Sequence, residues 1–138
     1  MAKKYKLTEE SIIYFGKTLF RIEALKDFGN VNKGDKGGYV QSEENLSQEG
    51  DCWISDNAKV YDNAKVCDNA LVYGNAVICD NAKVCGNALV FGNAEICSNA
   101  EIKNSSDYIV FKNWWSSGRY FTWTKSNNMW KVGSLWYR

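Results

Sequence analysis

The chain has 138 residues, 45% of them hydrophobic, and a formal net charge of +1. That length suits one folding unit, and no apolar run approaches the ~20 residues of a membrane-spanning helix. Near-neutral charge excludes neither a protein nor a nucleic-acid partner, while the complete absence of His removes the usual general base near neutral pH.

Met1-Ala2-Lys3-Lys4 is followed by polar residues, so the start has no secretory hydrophobic segment. Five Cys without such a signal favour reduced thiols and a cytoplasmic location over a disulfide framework. Composition divides the chain into an N-terminal hairpin cap and irregular first coil (1–50), a repeat (51–103) and a basic aromatic cap (104–138), within a single domain 1–138. The first part is charge-balanced, the second carries −3 and the third +4, and the third holds five of the six Trp.

Tyr5–Leu7, Ile12–Tyr14 and Thr18–Ile22 have strand character around Phe15-Gly16-Lys17, which predicts a β-hairpin. Gly16-Lys17-Thr18 is a poor phosphate loop. Position 11 is Ser where that motif needs Gly, and TLFRI continues as strand rather than helix. Asn30 to Gly38 is Gly-, Asn-, Lys- and Asp-rich and predicts a loop. Val40, Leu46 and Cys52 then stand six residues apart, as an irregular coil feeding the repeat would place them.

From Asn57 to Asn99 an Asn recurs every sixth residue, each followed by Ala and, two places later, by Val or Ile. Residues two apart share a face in a strand but not in a helix. Each hexad is therefore a short strand with Ala and Val/Ile inward, and Asp-Asn, Gly-Asn or Ser-Asn forms the corner. A hexapeptide period belongs to a β-helix.

Over Cys52 to Lys103 the run resembles the left-handed parallel β-helix of hexapeptide-repeat proteins. The resemblance implies three hexads per triangular eighteen-residue coil, and an all-β fold: a short left-handed parallel β-helix with N- and C-terminal β-hairpin caps. Asp107–Phe111, Tyr120–Thr124 and Met129–Val132 read as strands, the last two as a hairpin around Lys125-Ser126-Asn127-Asn128. KLTEESIIYFGKTLFRIEALKDFG, the hexads and DYIVFKNWWSSGRYFTWTKSNNMWKVG together are similar to small hexapeptide-repeat proteins of bacteriophages and prophages. Those relatives tend to continue past the equivalent of Gly133, which implies a shortened C-terminus here.

Well-known hexapeptide-helix proteins are acyltransferases with a His base, which this chain lacks. Asp56, Asp62, Asp68 and Asp80 occupy corners that the turn itself explains. Cys67 and Cys85 stack on one face and Cys79 and Cys97 on another, so the pairs point apart and cannot build one tetrahedral Cys₄ site. The reading includes no catalytic residue, no metal and no cofactor.

Two surfaces remain for binding. Eighteen-residue periodicity gives one face largely apolar, with Trp53, Leu71 and Leu89 beside Tyr73 and Phe91. Such a patch calls for cover by a terminal segment or by another copy in a trimer or dimer. The tail interleaves Trp114, Trp115, Arg119, Tyr120, Trp123, Lys125, Asn127, Asn128, Trp130 and Lys131, a set suited to protein hot spots or to base stacking. Strand alternation sets Tyr120, Thr122 and Thr124 against Phe121 and Trp123. The expectation is a non-catalytic phage-type binding protein whose partner is a host protein or complex, plausible as a counter-defence inhibitor. A degenerate transferase, or nucleic-acid or small-ligand binding through the tail, stands as the alternative.

Overall fold

A computed structural model describes residues 3–112, 120–127, 129–132 and 135–137. Along the C-terminal strands it describes the backbone, with side chains only for Tyr108, Thr122 and Thr124. Strands β1 (Tyr5–Tyr14) and β2 (Lys17–Ala24) form an antiparallel hairpin, with a bulge between Leu7 and Ser11. The first coil follows with β3 (Lys36–Val40), a 3₁₀ turn at Glu43–Asn45, and β4 (Trp53–Ile54). The hexads give β5 (Lys59–Val60), β6 (Lys65–Val66), β7 (Leu71–Val72), β8 (Val77–Ile78), β9 (Lys83–Val84), β10 (Leu89–Val90), β11 (Glu95–Ile96) and β12 (Glu101–Ile102). A 3₁₀ turn at Ser105–Asp107 leads to the antiparallel strands β13 (Tyr108–Lys112), β14 (Tyr120–Thr124), β15 (Met129–Val132) and β16 (Leu135–Tyr137).

The described residues form an all-β parallel solenoid of about four turns with antiparallel strands at both ends. Its three faces are β3-β5-β8-β11, Leu46-β6-β9-β12 and β4-β7-β10. Ala at 58, 64, 70, 76, 82, 88, 94 and 100 is wholly buried, as is nearly every branched partner two places on. Inward and outward positions therefore fall as the hexad pattern requires.

The corners explain the rest of the hexad. Asp56, Asp62, Asp68, Asp80 and Ser98 have φ between 57° and 59°, and Gly74, Gly86 and Gly92 between 63° and 69°. The first residue of each corner pair thus takes the left-handed conformation that Gly allows freely and Asp tolerates. The first coil is longer than the others. Val40 pairs with Val60 and Leu46 with Val66, whereas Ile54 pairs with Val72. The extra residues lie between Leu46 and Ile54, so Cys52 takes an Ala slot, buried and two residues ahead of the branched slot. The predicted loop also ends early, because β3 starts at Lys36.

A parallel stack leaves unpaired backbone groups at both open ends. At the first coil β2 pairs with β3. On the other two faces side chains supply the donors. Lys4 Nζ, buried, donates to the carbonyls of Cys52 (2.8 Å) and Gly50 (3.2 Å), and Tyr5 Oη to that of Leu46 (2.6 Å). Burial pushes the Lys4 ammonium below its ordinary range, and contact with the Cys52 thiol opposes that shift. At the last coil three hydroxyls serve as acceptors, one per face. Leu89 N donates to Ser105 Oγ (3.2 Å), Glu95 N to Thr122 Oγ1 (3.0 Å) and Glu101 N to Ser126 Oγ (2.8 Å). The predicted hairpin therefore caps one face of three, and side chains complete the closure.

Candidate binding surfaces

The corner aspartates are built into the scaffold. The Oδ2 atoms of Asp56, Asp68 and Asp80 accept from the backbone N–H groups of Gly74 (3.0 Å), Gly86 (2.9 Å) and Ser98 (2.9 Å), each one coil further on. Asp62 does the same for Asp80 N at 3.4 Å and also pairs with Lys17. A carboxylate held this way is an acceptor for the fold rather than a free base.

The face that carries Lys59, Val77 and Glu95 lies under the hairpin. Leu19 and Tyr39 form a buried cluster with Tyr61, Val77, Cys79 and Cys97, and Ile12 and Tyr14 pack against it. Tyr14 and Tyr61 meet edge to face at 5.7 Å. Burial pushes the Tyr61 phenol up to about 12, helped by Tyr14, Asp80 and Glu95. Under this cover Cys79 and Cys97 form a disulfide across neighbouring rungs, with Cα atoms 4.7 Å apart, a span that suits the bond. Stacking at one hexad position, eighteen residues apart, brings these two side chains together. Cys52, Cys67 and Cys85 are free.

The apolar face is graded along its length. Trp53 is buried against Phe28 (ring centroids 5.3 Å apart) and Tyr5 (6.3 Å). Leu71 and Tyr73 are half-buried. Leu89 and Phe91 are 36% and 48% exposed, and Phe91 stacks on Tyr73 at 5.3 Å. A groove of about 450 Å³ runs from Val31, Asp35 and Lys36 past Trp53 to Leu71 and Tyr73. The N-terminal segment therefore covers the first coil, Tyr108 reaches the last through a hydrogen bond from its hydroxyl to the Leu89 carbonyl (2.8 Å), and among the described residues Tyr73 and Phe91 keep an aromatic ledge. The hairpin tip adds Ile13 (73% exposed) and Phe15 (81%), the latter at φ 48°. Sequence reasoning missed that tip as a surface, although Ile-Ile-Tyr-Phe before a Gly turn was its signal.

The tail candidates divide. Trp114, Trp115, Arg119 and Asn128 lie outside the described residues. Tyr120 and Trp123 fall on β14 and Trp130 on β15, with the backbone described there. Lys125 is exposed in the intervening turn. Asn127 belongs to the cap. Its Nδ2 donates to Asn99 Oδ1 (3.3 Å) and its Oδ1 accepts from Thr124 Oγ1. Thr122 and Thr124 are buried, so one polar face of β14 abuts the solenoid. Among the described residues no helix is long and apolar enough to cross a membrane.

Residues 64–80 match the family described as "YdcK Beta solenoid repeat". The chain is also 33% identical over 85 residues to the "Uncharacterized acetyltransferase YdcK" of Escherichia coli (strain K12), covering 55% of this chain and 26% of that relative. It thus spans about a quarter of the length of the curated relative it matches. Both similarities accord with the repeat fold.

Proposed function

We propose that this protein is a non-catalytic binding protein, a rigid β-solenoid that presents aromatic surface to a protein partner. One observation carries the reading. The chain has no His, and its corner carboxylates are engaged in coil-to-coil hydrogen bonds with backbone N–H groups. The repeat then contributes rigidity. Specificity falls to the Tyr73–Phe91 ledge and to the tail around Trp114, Trp115, Arg119 and Trp123, where Trp, Tyr and Arg have the composition of hot spots. Five basic residues in that tail are few for a dedicated nucleic-acid surface. The resemblance to phage and prophage proteins makes a bacterial host protein or complex, including a defence component, the proposed partner.

The printed name of the Escherichia coli relative favours a second reading, acyl transfer with a carboxylate as base. Incubating the purified chain with acyl-CoA donors and a panel of amine and hydroxyl acceptors separates the two. Binding function alone predicts CoA release at background. Turnover that disappears in Asp62→Asn or Asp80→Asn, with the fold retained, supports the transferase instead.

A further inference from the structure

Two Cys-Asp-Cys groups recur at the same hexad positions, each with its three ligand atoms within 4.8 Å of one another. They differ in one respect. Cys79, Asp80 and Cys97 sit beneath the hairpin with the sulfurs bonded. Cys67 and Cys85 are half-exposed free thiols on neighbouring rungs, with the exposed Asp68 beside them. We propose that Cys67, Cys85 and Asp68 form a surface site for a thiophilic divalent ion of the zinc class, with the fourth position open to water.

The donor set fits that ion. Zinc takes sulfur at ~2.3 Å and carboxylate oxygen at ~2.0–2.2 Å in tetrahedral geometry, and an open fourth position is compatible with its chemistry. Rotamer adjustment of two surface thiols suffices to close the group around an ion, because their Cα atoms are already fixed by the β6–β9 pairing of Lys65 with Lys83 and Val66 with Val84. Asp68 is oriented too. Its Oδ2 accepts from Gly86 N at 2.9 Å, which leaves Oδ1 for the metal. Charge closes sensibly: two thiolates, one carboxylate and a divalent cation sum to a single negative charge, offset by the exposed Lys65 and Lys83 two residues before each Cys. Binding displaces one proton from each Sγ to solvent, with no change in oxidation state.

The probe is the metal alone, added to the full chain after reduction of the free thiols. Titration with Co²⁺ is followed by its thiolate charge-transfer absorption, and Zn²⁺ is then used as competitor. The expected result is one Co²⁺ per chain with that absorption, displaced by Zn²⁺. The band is lost in Cys67→Ser and in Cys85→Ser, weakened in Asp68→Asn and unchanged in Cys79→Ser. Circular dichroism confirms that each variant is folded. No thiolate band in the reduced wild type overturns the proposal, as does an undiminished band in folded Cys67→Ser or Cys85→Ser.

Discussion

Replacing Val84 with Asp tests the solenoid at its centre. Val84 is wholly buried on β9, paired with Val66 on one side and Ile102 on the other. Removing its apolar contribution costs ~1.5–3 kcal/mol, and burying an unpartnered polar group among Ala and Val adds ~1–3 kcal/mol. The sum, about 2.5–6 kcal/mol, compares with about 5–15 kcal/mol for the stability of a whole domain. Coils touch only their neighbours, so a lost rung separates the coils on either side. With each kcal/mol worth roughly 3–5 °C in a chain of this size, Tm falls by roughly 8–30 °C or the protein fails to fold. The introduced carboxyl has its pKa raised by burial. Its penalty is therefore smallest below its unfolded value of about 3.9 and grows as pH rises above that. Thermal unfolding followed by circular dichroism at neutral pH reads the effect, with Lys65→Ala, at an exposed outward position, as control. Equal Tm shifts for the two variants refute the inward–outward register.

At the corner, Asp80→Ala loses the acceptor for Ser98 N and leaves a Cβ at φ 58°, so chemical denaturation should show a loss of about 1–3 kcal/mol. Asp80→Gly should lose less, since Gly already stands at the equivalent corners 74, 86 and 92, and a larger loss for Gly contradicts the corner account. Tyr61, raised from 10.0 to about 12, stays neutral in the fold while the unfolded chain ionises. Its contribution is full below pH 10 and is lost as pH rises from 10 toward 12. Tyr61→Phe should flatten stability across that window, and an unchanged alkaline profile removes Tyr61 as its source.

The hexad was legible because one six-residue pattern states both which side chains are buried and where the chain turns. Its Ala and Val/Ile positions and its left-handed corner residues follow from sterics alone. The first coil was harder to place, since the extra residues before Ile54 carry no signal that distinguishes Cys52 in an Ala slot from Cys52 in a branched slot. End closure was also illegible. Lys4, Tyr5, Ser105, Thr122 and Ser126 act through single hydrogen bonds to backbone groups that only the stacked coils bring into range. Outward faces were assigned correctly by periodicity, but which face the hairpin would cover depended on the path of β2 into β3. The hairpin's aromatic and aliphatic residues lie on the Tyr61–Cys79–Cys97 column, and the apolar face keeps Leu89 and Phe91 exposed.

Affinity capture with the full chain tests the binding function most directly. The wild type and a folded Trp115→Ala, Arg119→Glu double variant are used as bait in bacterial host lysate, and bound proteins are quantified by mass spectrometry. The account predicts a partner retained stoichiometrically by the wild type and strongly depleted with the double variant. Recovery of the same proteins in equal amounts by both baits contradicts it.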